Sequence, residues 1–409
     1  MLPKQRPGQK MRSDRAAPAR HERLAVLARG GRPGCDAHFA LPRVWWHARG
    51  VKYEPRLLVL LGGLGFVAAG CHGADTLTPQ TARCGPTPRL LVNATSYWPA
   101  DAGAPTASIV GMALDGSDLY FSVVLPPAAA VPRGALMHVS TNTGAVTQLA
   151  DGYEFQTPIV TPTSVIVGVI APSTYLGGIL SVPRNGGAAT PVATFNDGLL
   201  RYLPPVTDGT TVYFVDSAGV QSVPLTVGAA PASPTQVASG QPSGLLVSGQ
   251  RLLLLTEGTF MQIPIGSGDA GGESLLAVAP PGDLPGSLIP CGANACWLTN
   301  DTLGDDTVRQ IDPTSGMIST LASVSGGPAA DADLFAFDGT NFFVLGTSAG
   351  SAAAAIERIS PPGGAPVIVA NLPSFYDSGP FAVDDACVYF STPAGIYSLS
   401  SSAQGVSVQ

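Results

Sequence analysis

The chain has 409 residues, 45% hydrophobic and only 12% charged, with 49 Gly, 38 Pro and a formal net charge of −7. From Cys71 onward its 8 basic residues, all Arg, face 24 acids, a net charge of −16; this repels nucleic-acid phosphate, so no nucleic-acid partner is expected. The same stretch holds no lysine and only two histidines, His72 and His138, which excludes Schiff-base and P-loop lysines and leaves little material for multi-histidine metal sites or serine triads; no cofactor is expected.

Residues 1–50 are the opposite, with 11 Lys and Arg against 3 acids and no apolar periodicity. They read as a disordered leader or as upstream sequence translated ahead of a start at Val51. Residues 51–70, VKYEPRLLVLLGGLGFVAAG, place Lys52 and Arg56 before an apolar run over 57–69 and small residues before Cys71. A basic start, a run of roughly 7 to 15 apolar residues and a small-residue site make an export signal, and the run is too short for the ~20 residues of a membrane span. The order resembles a bacterial lipoprotein signal, although Ala68 stands where such signals usually have Leu. That resemblance implies a lipid anchor on Cys71, and with His72 rather than Asp following it, an outer-membrane location facing the periplasm or the cell surface. Residues 71–104 are rich in Pro, Thr, Ala and Gly and read as a tether.

A repeat of about 45 residues then runs to the C-terminus. Its turn positions are Asp115, Thr161, Asp208, Ser248, Cys291, Asp338 and Asp384, at intervals of 46, 47, 40, 43, 47 and 46. Each copy has an apolar strand, a polar turn often carrying Asp-Gly, and a second strand rich in Val, Tyr and Phe, as in MALDGSDLYFS from Met112 and PVTDGTTVYFV from Pro205. A third strand such as LMHVS or VQSVP and a fourth such as AVTQLA follow, the last copy ending in GVSVQ. His138 falls in a third strand and reads as a strand residue rather than a catalyst. Seven copies of four short strands predict an all-β, seven-bladed β-propeller over 105–409.

The VAAGC before and at Cys71 and the repeated DG, VYF and SVP elements resemble propeller-type lipoproteins of myxobacteria and similar high-GC bacteria. The resemblance covers the whole mature chain and implies architecture, not activity. In the repeat alignment Cys291 and Cys296 flank a hairpin turn, CGANAC, and residues facing across a hairpin come within bridging distance. Of three possible pairings, that geometry favours Cys291 with Cys296 and Cys84 with Cys387. The second bridge would tie the segment before blade 1 to blade 7, where RLLVN from Arg89 could cover the edge outside GVSVQ. Metal binding by these cysteines is the weaker reading, because CGANAC has no second close pair.

Connections between one blade's last strand and the next blade's first open on one face. Three of them carry aromatic and charged residues: Tyr153, Glu154 and Phe155; Asp197, Arg201 and Tyr202; Phe375, Tyr376 and Asp377. Aromatics beside carboxylates suit a glycan, peptide or cationic partner, and the alternative is that the rings plug the spaces between blades. Asp301, Asp305 and Asp306 lack calcium-loop spacing and read as a solvated acidic loop, so no metal is expected. The expectation is an envelope-anchored, non-catalytic binding or scaffold protein. Its alternative is a carboxylate-based glycosidase or lyase, which needs no histidine.

Overall fold

The computed structural model describes residues 83–94, 108–124, 134–171, 177–195, 203–225, 231–266, 272–281, 283–285, 287–300, 306–324, 329–347, 354–363, 365–373 and 379–408. Every element among them is a β-strand, and the strands form the seven blades of a β-propeller. Blade 1 contains Ser108–Asp115, Asp118–Val124, Gly134–Ser140 and Val146–Asp151. In blade 2 the first strand is broken into Glu154–Phe155 and Ile159–Val160, before Ser164–Ile170, Gly177–Pro183 and Thr190–Phe195. Blades 3, 4, 5 and 6 begin at Val206–Thr207, Gly244–Ser248, Leu284–Pro285 and Ala329–Phe337, and blade 7 at Phe381–Val383.

Position in the blade dictates composition. Second strands have a neighbouring blade on both faces and are mostly apolar at their centres: Ser164–Ile170 is buried at every residue, and Arg251–Thr256 buries all four central leucines. Burial is organised as seven separate cores, one per blade–blade interface, the last joining Leu119 and Phe121 of blade 1 to Tyr389 and Ile396 of blade 7. A four-stranded sheet has two apolar faces, and only a closed ring covers both on every copy. In all seven blades the pairing between third and fourth strands shifts register, as between Leu136 and Met137. A bulge in the outermost pair raises the local twist that lets blades fan outward.

Ring closure corrects the expected strand order. Arg89–Asn93 is itself the fourth strand of blade 7, antiparallel to Gly395–Ser400. The C-terminal Val406–Ser407 instead pairs in parallel with Val367–Leu372 and covers the edge of blade 6. The reason is apolar burial: Leu91 and Val92 enter the core between blades 7 and 1, whereas Ala403 and Val408 fill the one between blades 6 and 7. Gly395, at φ +142°, is where the N-terminal strand lies against its partner, since a Cβ there would sit 1.8 Å from the carbonyl oxygen of Val92. Residues 83–94, expected within a tether spanning 71–104, thus belong to the ring. Both favoured disulfides are present, Cys84–Cys387 and Cys291–Cys296.

The repeat's Asp-Gly turns also acquire a physical role. Asp208 Oδ1 accepts the backbone N–H groups of Thr210 and Thr211 at 2.7 Å each, and Tyr213 donates its hydroxyl to Asp208 Oδ2 at 3.1 Å. Asp384 repeats the pattern with Ala386, Cys387 and Tyr389. Burial opposes the charge on Asp208, but the bonds from Thr210, Thr211 and Tyr213 outweigh it and hold the carboxyl below its ordinary range. Burial, then the neighbouring carboxylate, push the Tyr213 hydroxyl up to about 12. In blade 5 the same two positions are Cys291 and Cys296, so a covalent bond stands where blades 3 and 7 use an Asp–Tyr hydrogen bond.

Candidate functional site

Blade 1 departs from that pattern, and the departure builds a cleft. Its turn, Asp115-Gly116-Ser117-Asp118, is a two-residue hairpin loop with Gly116 at φ +59°, the left-handed conformation such loops favour at their first central residue. The aspartate and tyrosine that close on each other in blades 3 and 7 are here Asp115 and Tyr120, and both turn to Arg184 of blade 2. Arg184 Nη1 lies 2.6 Å from Asp115 Oδ2, Nη2 lies 3.6 Å from Asp118 Oδ2, and Nε donates to the Tyr120 hydroxyl at 2.9 Å. His138, directly across from Tyr120 in the sheet, completes the cluster with Nε2 2.9 Å from Asp118 Oδ1.

Local sequence on the blade 2 side presents the remaining groups. Pro183-Arg184-Asn185-Gly186 is a tight turn closed by Gly186 N–H donating to Pro183 O at 3.0 Å, with Gly186 at φ +82°. Pro starting and Gly ending the turn fit its backbone demands, leaving Arg184 and Asn185 at the tip. The facing turn, Thr161-Pro162-Thr163-Ser164, is tied by the Thr161 hydroxyl, which donates to Ser164 O at 2.8 Å and accepts from Ser164 N–H at 3.1 Å. Between these turns and blade 1 lies an open cleft of about 490 Å³ lined by Asp118, Tyr120, His138, Pro162, Thr163, Arg184 and Asn185.

The electrostatics are tightly internal. Tyr120 is 1% exposed, and its hydroxyl is held above its ordinary pKa first by burial, against the lowering effect of Arg184. The hydrogen bond to Tyr120 in turn raises Arg184, despite its partial burial, so the guanidinium stays charged. The guanidinium carbon also lies 5.5 Å above the Tyr120 ring, whose other neighbour is the His138 ring at 5.1 Å. Asp118 is the one carboxylate among the described residues that line the cleft.

Of the residues expected to bind a ligand, the described ones are Tyr153, Glu154 and Phe155. Phe155 is 1% exposed within the core between blades 1 and 2, with Tyr153 packed edge-on at 6.0 Å. These two rings fill the space between blades, and Phe155 offers no surface to a ligand. Asp197, Arg201, Tyr202, Phe375, Tyr376 and Asp377 lie outside the described residues, as do Cys71, Asp301 and Asp305. The cleft opens on the opposite face from that expectation, because it is lined by turns joining first to second and third to fourth strands. His138 does lie on a strand, as expected, and it also reaches this site. Sequence reasoning missed Arg184, Asp115, Asp118 and Tyr120 as site residues; the signal that could have found them is positional, since Arg184 occupies a place taken by Thr141, Leu225, Ile265 and Ser401 in other copies.

No protein-family model and no curated protein matches the sequence. Solved structures resemble it in fold. A puromycin-hydrolyzing peptidase of Mycobacterium tuberculosis superposes with a TM-score of 0.52 at 13% identity, covering 75% of this chain and 53% of that one. A prolyl endopeptidase gives 0.50 at 15% identity, over 68% and 44% respectively. Hsv2 of Kluyveromyces lactis gives 0.47 at 10% identity, over 71% and 91%. The chain spans about half the length of each peptidase, and at these identities the likeness concerns fold alone.

Proposed function

We propose that this chain is an exported binding propeller, held at a bacterial envelope by lipid on Cys71, which captures its ligand in the cleft between blades 1 and 2 without turning it over. The observation that carries the binding reading is how the cleft's charges are used. Asp118 is engaged by His138 and Arg184, and Arg184 by Asp115 and Tyr120. A carboxylate glycosidase sets two acids about 5–10 Å apart across its substrate. Among the described residues that line the cleft the single carboxylate, Asp118, is bound to neighbouring groups, which suits recognition better than proton transfer. Export is supported by the two disulfides, since such bonds persist in oxidising compartments.

The anchor is tested by expressing the full chain in a Gram-negative host and following detergent-phase partitioning. The wild type is expected in the detergent phase and Cys71→Ser in the aqueous phase, with mass spectrometry finding lipid on the Cys71 peptide. Partitioning that ignores the substitution would refute the anchor. Turnover of chromogenic glycosides that Asp118→Asn abolishes would refute the non-catalytic reading.

A further inference from the structure

Resting on the reading of the cleft as the ligand site, we infer that the ligand is a neutral saccharide. The argument begins with charge. One guanidinium faces two carboxylates, Asp115 and Asp118, all of them engaged with one another. An anionic ligand approaching Arg184 meets Asp118 beside it, and a cationic ligand approaching Asp118 meets Arg184. Like charges brought together at a recognition surface disfavour the wrong partner, so the cleft selects against free ions of either sign.

What it offers instead is a dense set of directional polar groups. Among the described residues, the Thr163 hydroxyl and the Asn185 amide make no hydrogen bond to the protein, and His138 uses one ring nitrogen on Asp118 and leaves the other. Together these provide donors and acceptors side by side on two turns held by Thr161 and Gly186. A pyranose presents vicinal hydroxyls, each both donor and acceptor, and the Asn185 amide, with a donor and an acceptor side by side, can bond two adjacent ones. Its C–H face needs an apolar partner, for which the exposed Pro162 ring on the cleft wall is suited. The volume of about 490 Å³ falls within the roughly 300–1,000 Å³ of small-molecule sites.

The repeat strengthens the inference. Cross-strand polar pairs equivalent to Asp118–His138 recur as Arg251–Gln262 in blade 4 and Asn294–Gln310 in blade 5, where they serve the sheet. Arg184 bonding both the Asp and the Tyr positions of the adjacent blade is the added feature: in blade 3 these positions close on themselves, and in blade 7 they do so with Arg83 3.6 Å from Asp384. Departures from a repeat that break its self-consistent pattern tend to mark function.

The test titrates the full chain with maltose, cellobiose and N,N′-diacetylchitobiose, and with a longer oligomer of each, by calorimetry and saturation-transfer NMR. Glucuronate and glucosamine serve as charged counterparts. At least one neutral sugar is expected to bind saturably, with Kd rising about tenfold in Thr163→Ala and in Asn185→Ala, the loss of roughly one net hydrogen bond each. Both side chains are exposed, so the melting temperature should not move. Tighter binding of the oligomer than of the disaccharide would identify a glycan end rather than a free sugar. Sugar binding indifferent to both substitutions would overturn the assignment to this cleft. Preferential, Asn185-dependent binding of a charged counterpart would overturn the saccharide's neutrality while leaving the cleft a ligand site, whereas no binding by any probe would sink both readings.

Discussion

Removing the Cys84–Cys387 bridge should cost the ring far more than removing Cys291–Cys296. The two bonds close loops of very different length, with sequence separations of 303 and 5. The chain-entropy relation gives about 6 kcal/mol for the first and about 2 kcal/mol for the second. Unfolding entropy near 2.1 cal/mol/K per residue over residues 83–408 amounts to about 0.7 kcal/mol/K, so the expected losses in melting temperature are about 8 °C and about 3 °C. All four cysteines are buried, from 0% to 8% exposed, so Cys→Ala pairs leave comparable cavities and the difference isolates the clasp. Scanning calorimetry of the Cys84→Ala/Cys387→Ala and Cys291→Ala/Cys296→Ala variants measures it. Equal shifts, or the reverse order, would refute the claim that the N-terminal strand fastens blade 7 through that bond.

Three further outcomes follow from side-chain chemistry. Arg184→Met strands the buried Tyr120 hydroxyl and should cost about 1–3 kcal/mol in chemical denaturation; the cost should fall in a Tyr120→Phe background, a coupling a double-mutant cycle reads directly. Asp208 is held below its ordinary pKa of 3.8, so its contribution is present at neutral pH and is lost as pH falls through the lowered folded value; Asp208→Ala should cost about 1 kcal/mol at pH 7 and flatten the acid limb of the stability curve. Glu357 has the opposite sign: burial on the third strand of blade 6 raises it above 4.5, so the native state holds its proton longer and stability declines as pH rises from 4.5 through the folded value. Glu357→Gln should therefore stabilise the ring at pH 7, and a pH series of denaturation midpoints that still declines over that interval would contradict this.

The ring was legible because every copy obeys similar local demands: a tight turn, with aspartate at its head in four of the seven copies, a largely apolar second strand, and a third strand of mixed character. Strand exchange at the closure was not, because RLLVN and GVSVQ are both plausible edge strands. The choice between them is made by the volumes that Leu91, Val92, Ala403 and Val408 fill in two different interfaces, and a one-dimensional pattern does not carry that comparison. The pairing of cysteines was readable for the opposite reason, since a five-residue separation across a hairpin is a local fact and the remaining pair follows by exclusion.

The cleft shows a more general limit. Aromatic and charged loops attract attention in sequence, yet Tyr153 and Phe155 meet the demand of the core between blades. Arg184, by contrast, sits in an unremarkable PRNG turn, and its meaning depends on reaching across to residues 64 and 69 positions earlier, Tyr120 and Asp115. In a propeller such partners are one repeat and a half apart, because third-to-fourth-strand turns of one blade lie beside first-to-second-strand turns of the preceding blade. The useful question for a repeat of this kind is therefore which copy places a charged residue where the others place a small or apolar one, and what the preceding copy holds at its turn. Applied here, it selects Arg184 with Asp115, and the geometry then brings in Asp118, Tyr120 and His138.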